Sequence, residues 1–181
     1  SNDEFEKVKD RDQSILFPLL KERLSGYEKL ILDFGCGSGR FTDDLAGLIK
    51  NKAVGVDPTE ELIKLAPKSD RVEYIVMKDG IIPLPEESVD VIWIYAVLGC
   101  IKNGSMNLTF VNLHRVFRKG GLLFMLENTS SSANSEFYTY RTHDEYMKFA
   151  YFANMSHVYD YFDVGKNFKE KFSVMAGRKK S

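Results

Sequence analysis

The stretch Leu30-Ile31-Leu32-Asp33-Phe34-Gly35-Cys36-Gly37-Ser38-Gly39-Arg40-Phe41 sets an acid and three alternating glycines directly after an apolar run. Glycine has no Cβ, so a turn of this composition lets the backbone come within touching distance of a ligand. The spacing is Gly-x-Gly-x-Gly. The dinucleotide fingerprint is Gly-x-Gly-x-x-Gly, and the position of its third glycine holds Arg40. A second apolar run, Ala53-Val54-Gly55-Val56, ends in Asp57. In nucleotide-binding βαβ units an acid about 20 residues beyond the turn accepts hydrogen bonds from ribose hydroxyls. A carboxylate suits that task because it offers several acceptor sites to two adjacent donors.

Three more apolar runs keep the same order. Val72-Glu73-Tyr74-Ile75-Val76-Met77 ends at Lys78-Asp79-Gly80, and Val89-Asp90-Val91-Ile92-Trp93-Ile94-Tyr95-Ala96 follows the turn Pro83 to Ser88. Gly121-Leu122-Leu123-Phe124-Met125-Leu126 follows Arg118-Lys119-Gly120. Asp33, Gly35, Gly37, Asp57, Asp79 and Tyr95 then fall at or near strand C-termini. In an open parallel sheet that edge, at the topological switch point, is where ligands bind. Taken singly, each residue also has a bland reading: Asp57 before Pro58 suits a turn, and Asp79-Gly80 is an ordinary turn pair.

The glycine turn, with the later runs in this order, resembles motif I and its successors in the class I methyltransferases, which use S-adenosylmethionine. The resemblance is strong over Leu30 to Glu127 and looser beyond. It implies that the backbone from Gly35 to Gly39, through Cys36 and Gly37, approaches the methionine part of the cofactor and that Asp33 helps to hold its amino group. It implies that Asp57 holds the ribose with Pro58, Thr59 and Leu62 beside the adenine, while Asp79, Gly80 and Ile81 close over the base. Tyr95, Ala96 and Leu98 would line the side facing the acceptor. The implied reaction is in-line methyl transfer to a small-molecule acceptor, most simply a hydroxyl, with a sugar as one class. Amine or carboxylate methylation, a non-catalytic methyltransferase-like domain of a larger protein, and a nicotinamide-linked dehydrogenase are the rivals.

Because the methyl donor is already activated, the protein mainly supplies alignment and desolvation, and a general base helps when the acceptor is a hydroxyl. His143 and Glu127 are the candidates for that base; His114 and His157 read as surface or structural residues. Tyr138, Tyr140 and Arg141 are candidate acceptor contacts, Arg141 as a fixed cation for an anionic or hydroxyl-rich substrate. The segment Tyr95-Ala96-Val97-Leu98-Gly99-Cys100 lacks the Asn/Asp-Pro-Pro-aromatic motif of enzymes that methylate planar amino groups, which argues against DNA, RNA bases and glutamine. It also lacks the histidine that many small-molecule relatives carry near position 99 or 100.

Composition agrees with this reading. Of the 181 residues 44% are hydrophobic and 28% charged, as in a soluble globular domain. Lys and Arg number 25 against 26 Asp and Glu, a net charge of −1 that gives nucleic acid no electrostatic reason to bind. No apolar stretch approaches the roughly 20 residues of a membrane span, and the polar N-terminus does not read as a signal peptide. The first residues, Ser1-Asn2 without Met, suggest a tag remnant or a domain cut from a longer polypeptide. Cys36 and Cys100 read as reduced thiols of a cytoplasmic protein, and two cysteines with three scattered histidines offer no metal cluster. Oligomeric state is not legible.

The elements that must position these residues can be read from periodicity. Residues 4–24 read as helical with a break at Pro18, and Phe41, Leu45, Leu48 and Ile49 form a stripe. Glu60 and Glu61 open a helix burying Leu62, Ile63 and Ala66. Met106, Phe110, Leu113 and Phe117 form another stripe that stops before Gly120. Thr142-His143-Asp144-Glu145 is a capping box. Two strands near residues 157–164 and 169–176, joined by Gly165-Lys166-Asn167, must pair antiparallel because so short a connection cannot cross over. Ser130 to Ser135 reads as a loop. The expected fold is α/β: a seven-stranded, mostly parallel sheet with helices on both faces and the last strand antiparallel, the Rossmann-like methyltransferase fold. Residues 1–181 would form one domain, with an N-terminal helical segment (1–28), a cofactor-binding core (29–127) and an acceptor-side loop, helix and closing hairpin (128–181).

Overall fold

The computed structural model describes residues 2–130, 134–164 and 169–180. After α1 (Asn2–Lys21), strands β1 (Leu30–Phe34), β2 (Lys52–Asp57) and β3 (Val72–Val76) alternate with α2 (Thr42–Ile49) and α3 (Glu60–Ile63). β4 (Val89–Tyr95) runs through a 3₁₀ turn, Leu98–Cys100, into α4 (Asn103–Val116) and β5 (Phe117–Asn128). α5 (His143–Phe149), β6 (Ser156–Val164) and β7 (Lys169–Arg178) follow. The connection 165–167 and residues 131–133 of the expected loop lie outside the described residues.

All seven strands join one sheet in the order β3-β2-β1-β4-β5-β7-β6. β1 to β5 pair in parallel, and β7 runs antiparallel to both β5 and β6, as expected. The order reverses at β1 and β4, whose C-terminal halves lie side by side with Asp33 opposite Trp93 and Phe34 opposite Ile94. A crevice opens where the connections leave that pair in opposite directions.

Alternation along the strands divides the core into two layers. Leu32, Phe34, Ile92, Ile94, Leu123 and Met125 pack with Met106, Phe110 and Leu113 of α4 and Tyr146 of α5. Ile31, Val91, Trp93, Phe124 and Leu126 pack on the other face with Leu16 and Leu20 of α1 and Leu45 of α2. Most of these side chains are fully buried, each removed from water for about 1.5–3 kcal/mol.

Three local expectations need correction. Pro18 does not break α1, which continues to Lys21, with the Glu22 N–H bonding the Pro18 carbonyl at 3.0 Å. Proline forfeits one helical donor, but the anchoring of Leu16 and Leu20 on the sheet outweighs that loss. α3 is a single turn with no buried residue, and Leu62 is 39% exposed because it faces an open cleft. Phe117 belongs to β5 rather than α4, since it already pairs with Val89. The capping box is present: the Thr142 side chain accepts from the Glu145 N–H, and the Glu145 carboxylate accepts from the Thr142 N–H at 2.8 Å.

Candidate functional site

The turn after β1 is built on glycine for two measurable reasons. Gly35 adopts φ +75°, and a Cβ there would lie 2.5 Å from a Val97 methyl. Gly39 adopts φ +78°, and a Cβ there would lie 2.5 Å from the Tyr74 hydroxyl. The turn is tied to its neighbour strand, with the Gly35 and Cys36 N–H groups donating to the Val56 carbonyl at 2.8 and 3.1 Å. At Gly37 a Cβ would meet only Leu62 Cδ1, at 3.9 Å, so the space above that residue is open.

That space is a cavity of about 460 Å³, within the range of small-molecule sites. Its floor is Asp33, Gly35, Cys36 and Gly37, with Leu62 on one side and Tyr95 and Ala96 on the other. All seven were expected from the sequence. Ser38, within the expected Gly35–Gly39 backbone, also lines it; Arg40 and Phe41 line it too and were missed, although they sit inside the same motif. The Arg40 guanidinium lies 5.8 Å from the Phe41 ring centre and 5.7 Å from that of Tyr95. It occupies the place where a dinucleotide fingerprint would need glycine.

The remaining expected cofactor contacts lie around the cavity rather than on its wall. Asp57 sits behind the turn, its Oδ2 accepting from the Gly37 N–H at 3.0 Å and its Oδ1 from the Thr59 N–H at 2.8 Å. Each oxygen keeps further acceptor capacity. Gly39 lines a neighbouring depression. Pro58 and Thr59 are exposed beside α3, and Asp79, Gly80 and Ile81 form an exposed turn past β3 with φ of +53° at Asp79. Leu98 is wholly buried in the α4 and α5 layer and faces no open space.

Burial dominates the electrostatics. Asp33 is 3% exposed; desolvation pushes its carboxyl up to about 7, a hydrogen bond from Thr42 Oγ1 at 2.7 Å opposes this, and Asp57 adds to it. Burial, then the Asp33 and Asp57 charges, push the Cys36 thiol far up, so it stays protonated and is no nucleophile. One carboxylate on the wall, Asp33, and a second behind the turn, Asp57, give the Gly37 end of the cleft an acidic character, while the Arg40 guanidinium supplies positive charge beside Phe41 and Tyr95.

The acceptor-side candidates have a different arrangement from the one expected. Glu127 is completely buried; its carboxylate accepts from the N–H groups of Val97 (3.0 Å), Leu98 (2.9 Å) and Gly99 (3.4 Å). Burial raises it to about 7 against the pull of those bonds. Sealed in this way it touches no open space, and it holds a loop rather than a substrate. Arg141, 4% exposed, grips the same loop from its carbonyl side, donating to Leu98 O at 2.9 Å, Ile101 O at 2.8 Å and Asn103 Oδ1 at 2.7 Å. A planar fork is the side chain suited to three such acceptors. Tyr138 packs against Gly99, where a Cβ would run into its ring, and Tyr140 stands 4.8 Å from Tyr138. His143 is partly exposed at the start of α5, 3.1 Å from Asp144. His114 stacks on Phe152, and His157 pairs with Asp160 at 2.8 Å. No group of metal-ligating side chains occurs among the described residues.

An adenosyl cofactor bearing an ammonium, a sulfonium and ribose hydroxyls fits this donor set. Asp33 would hold the ammonium, Asp57 the ribose and the Gly37 surface the chain between them, with Tyr95 and Ala96 on the side facing the acceptor. The comparisons agree with that fit. A curated protein of Dictyostelium discoideum, provisionally named a methyltransferase, is 36% identical over 77 residues, 42% of this chain and 29% of that one. The matched stretch thus spans less than a third of that relative's length. An S-adenosylmethionine-dependent methyltransferase from Methanosarcina mazei superposes with a TM-score of 0.73 over 91% of this chain and 98% of its own at 18% identity. The phosphoethanolamine N-methyltransferase 2 of Haemonchus contortus, bound to S-adenosylhomocysteine, gives 0.75 over 95% of this chain and 53% of its own at 14% identity. At such identities the solved structures share the fold alone. The family model described as "Methyltransferase domain" matches residues 32–125. The chain therefore belongs to the methyltransferase domain family, as a class I, Rossmann-like member with S-adenosylmethionine as its cofactor.

Proposed function

We propose that this domain transfers a methyl group from S-adenosylmethionine to a hydroxyl of a small molecule, with sugars as one acceptor class. The observation that carries the reading is the wall of the cavity at the end of β4. Tyr95 and Ala96 line it, and the sequence that follows has no Asn/Asp-Pro-Pro-aromatic clamp for a planar amide or base. When bound, the cofactor supplies an activated methyl on a sulfonium. The chain's own residues then hold and orient it, exclude water, and fix the loop 97–101 between Glu127 and Arg141.

Of the two proposed bases, His143 is the accessible one, and any proton transfer by a side chain is assigned to it. Tyr138 and Tyr140 are proposed as acceptor contacts and Arg141 as the support behind them. Residues 1–181 are read as one domain, 1–28 bracketing the core 29–127 and 128–181 forming the acceptor side. A cytoplasmic setting and a small-molecule partner, without nucleic acid, complete the proposal; no described helix is long and apolar enough to cross a membrane.

The burial of Glu127 favours a second reading, methylation of an amine, which needs no strong base. Incubation with S-adenosylmethionine and matched panels of sugar, phenolic, amine and carboxylate acceptors separates the two through S-adenosylhomocysteine release. Turnover on hydroxyl acceptors alone supports the first reading. Turnover on amines alone transfers the assignment to the second, and cofactor binding without turnover on any panel favours a non-catalytic binding domain.

A further inference from the structure

Tyr95 connects the cavity wall to a part of the chain outside the family match, which begins at residue 32. Its hydroxyl donates to Asp12 Oδ2 on α1. Asp12 is fully buried and carries a second partner, Arg11, whose Nε and NH2 lie 3.0 and 2.9 Å from Oδ1. A buried carboxylate must be paired to be tolerated, and here one of its two partners is a residue that lines the cofactor cavity. α1 has further ties to the cavity's supporting helix: Lys9 and Gln13 reach Asp44 of α2 at 2.9 and 2.7 Å. On its apolar side Phe17 packs edge-on against Trp93, 6.0 Å between ring centres, and lies 6.4 Å from Phe41, which itself lines the cavity.

We propose that Asp12 is a positioning residue for the cofactor cavity: by fixing the Tyr95 hydroxyl it couples the docking of α1 to the filling of the cavity. The inference rests on the reading of that cavity as the adenosyl site. Tyr95 is held on three sides, by Phe41 at 4.9 Å, by the Arg40 guanidinium and by Asp12. Two of these holds come from the motif I turn and move with it. Asp12 ties the ring to a different element, α1. With α1 undocked, Tyr95 loses its polar partner and the cavity loses the order of one wall. Ligand binding that requires the ordered wall must then favour docked α1, and by linkage docked α1 favours the ligand by the same factor.

The test is calorimetric titration of the full chain with S-adenosylhomocysteine in five proteins: wild type, Asp12→Ala, Asp12→Asn, Tyr95→Phe and the double variant Asp12→Ala/Tyr95→Phe. Loss of one charge-assisted hydrogen bond predicts affinity weaker by about tenfold or more in Asp12→Ala and in Tyr95→Phe. The double variant should be no weaker than the worse single one, since both remove the same bond. Asp12→Asn keeps an acceptor for the hydroxyl and should restore affinity to within about threefold of wild type. Amide exchange across α1 should slow on ligand addition in wild type and not in Asp12→Ala. Should Asp12→Ala fail to fold, Tyr95→Phe, which keeps the ring and its packing, carries the comparison. Wild-type affinity in folded Asp12→Ala and Tyr95→Phe overturns the inference while leaving the cofactor reading intact. If wild type itself draws no heat from S-adenosylhomocysteine, the cofactor reading fails first and the inference falls with it.

Discussion

Replacing Glu127 by Gln separates the two things that its buried carboxylate does. The folded chain holds this carboxyl at about 7, against 4.5 for an ordinary glutamate. A raised carboxyl pKa means that the folded state binds the proton more tightly than the unfolded one. Its contribution to stability is then full below about pH 4.5 and is lost as pH rises through about 7. At about 1.4 kcal/mol per pH unit, the loss across that window is about 3 kcal/mol. Glutamine has no such titration. Its amide oxygen can take the place of Oε1 and keep the Val97 and Leu98 bonds, at 3.0 and 2.9 Å, while giving up the longer one from Gly99, at 3.4 Å. That exchange costs about 1 kcal/mol. Urea unfolding of both proteins from pH 4 to 8 should show wild type ahead by about 1 kcal/mol in acid and behind by about 2 kcal/mol at the alkaline end. A stability difference that stays flat, or that grows in favour of wild type as pH rises, would refute the argument that burial dominates this site.

Asp33, held at about 7, must be ionised to attract an ammonium. Affinity for S-adenosylhomocysteine should therefore climb between pH 6 and 8, by up to about tenfold per unit below the pKa, and the climb should vanish in Asp33→Asn by calorimetry. Gly39→Ala places a methyl against the Tyr74 hydroxyl at φ +78°; thermal unfolding should report a loss of about 1–3 kcal/mol, with weakened ligand binding. Arg141→Lys cannot span Leu98 O, Ile101 O and Asn103 at once. Amide exchange in the 97–101 loop should rise accordingly, and unchanged exchange would remove Arg141 from the role of clamp.

The fold was legible because its causes are local or periodic. Apolar runs of strand length, the glycine turn and the Thr142 capping box each declare themselves over a few residues. The floor of the cavity was legible for the same reason: Asp33, Gly35, Cys36 and Gly37 fall within one five-residue stretch. Asp12 was not legible, because its partner Tyr95 is 83 residues away and no period links them. Glu127 and Arg141 were picked out as residues able to do chemistry, yet sequence does not say which way a side chain turns at a strand end. Both turn inward onto one loop, whose N–H groups and carbonyls outbid solvent for them. Leu62 was read both as a core residue of its helix and as a cofactor contact; on a single-turn helix it cannot do both, and it faces the cleft.

The central claim is that the cavity above Gly37 holds an adenosyl cofactor with Asp57 as its ribose acceptor. Calorimetric titration with S-adenosylmethionine, S-adenosylhomocysteine and NAD, on wild type and Asp57→Ala, tests it most directly. Both adenosyl ligands should bind at micromolar concentration (roughly −8 kcal/mol), at least about tenfold more weakly to the variant, and NAD should not bind. Folded wild-type protein that binds neither adenosyl ligand, or that binds NAD in their place, would contradict it.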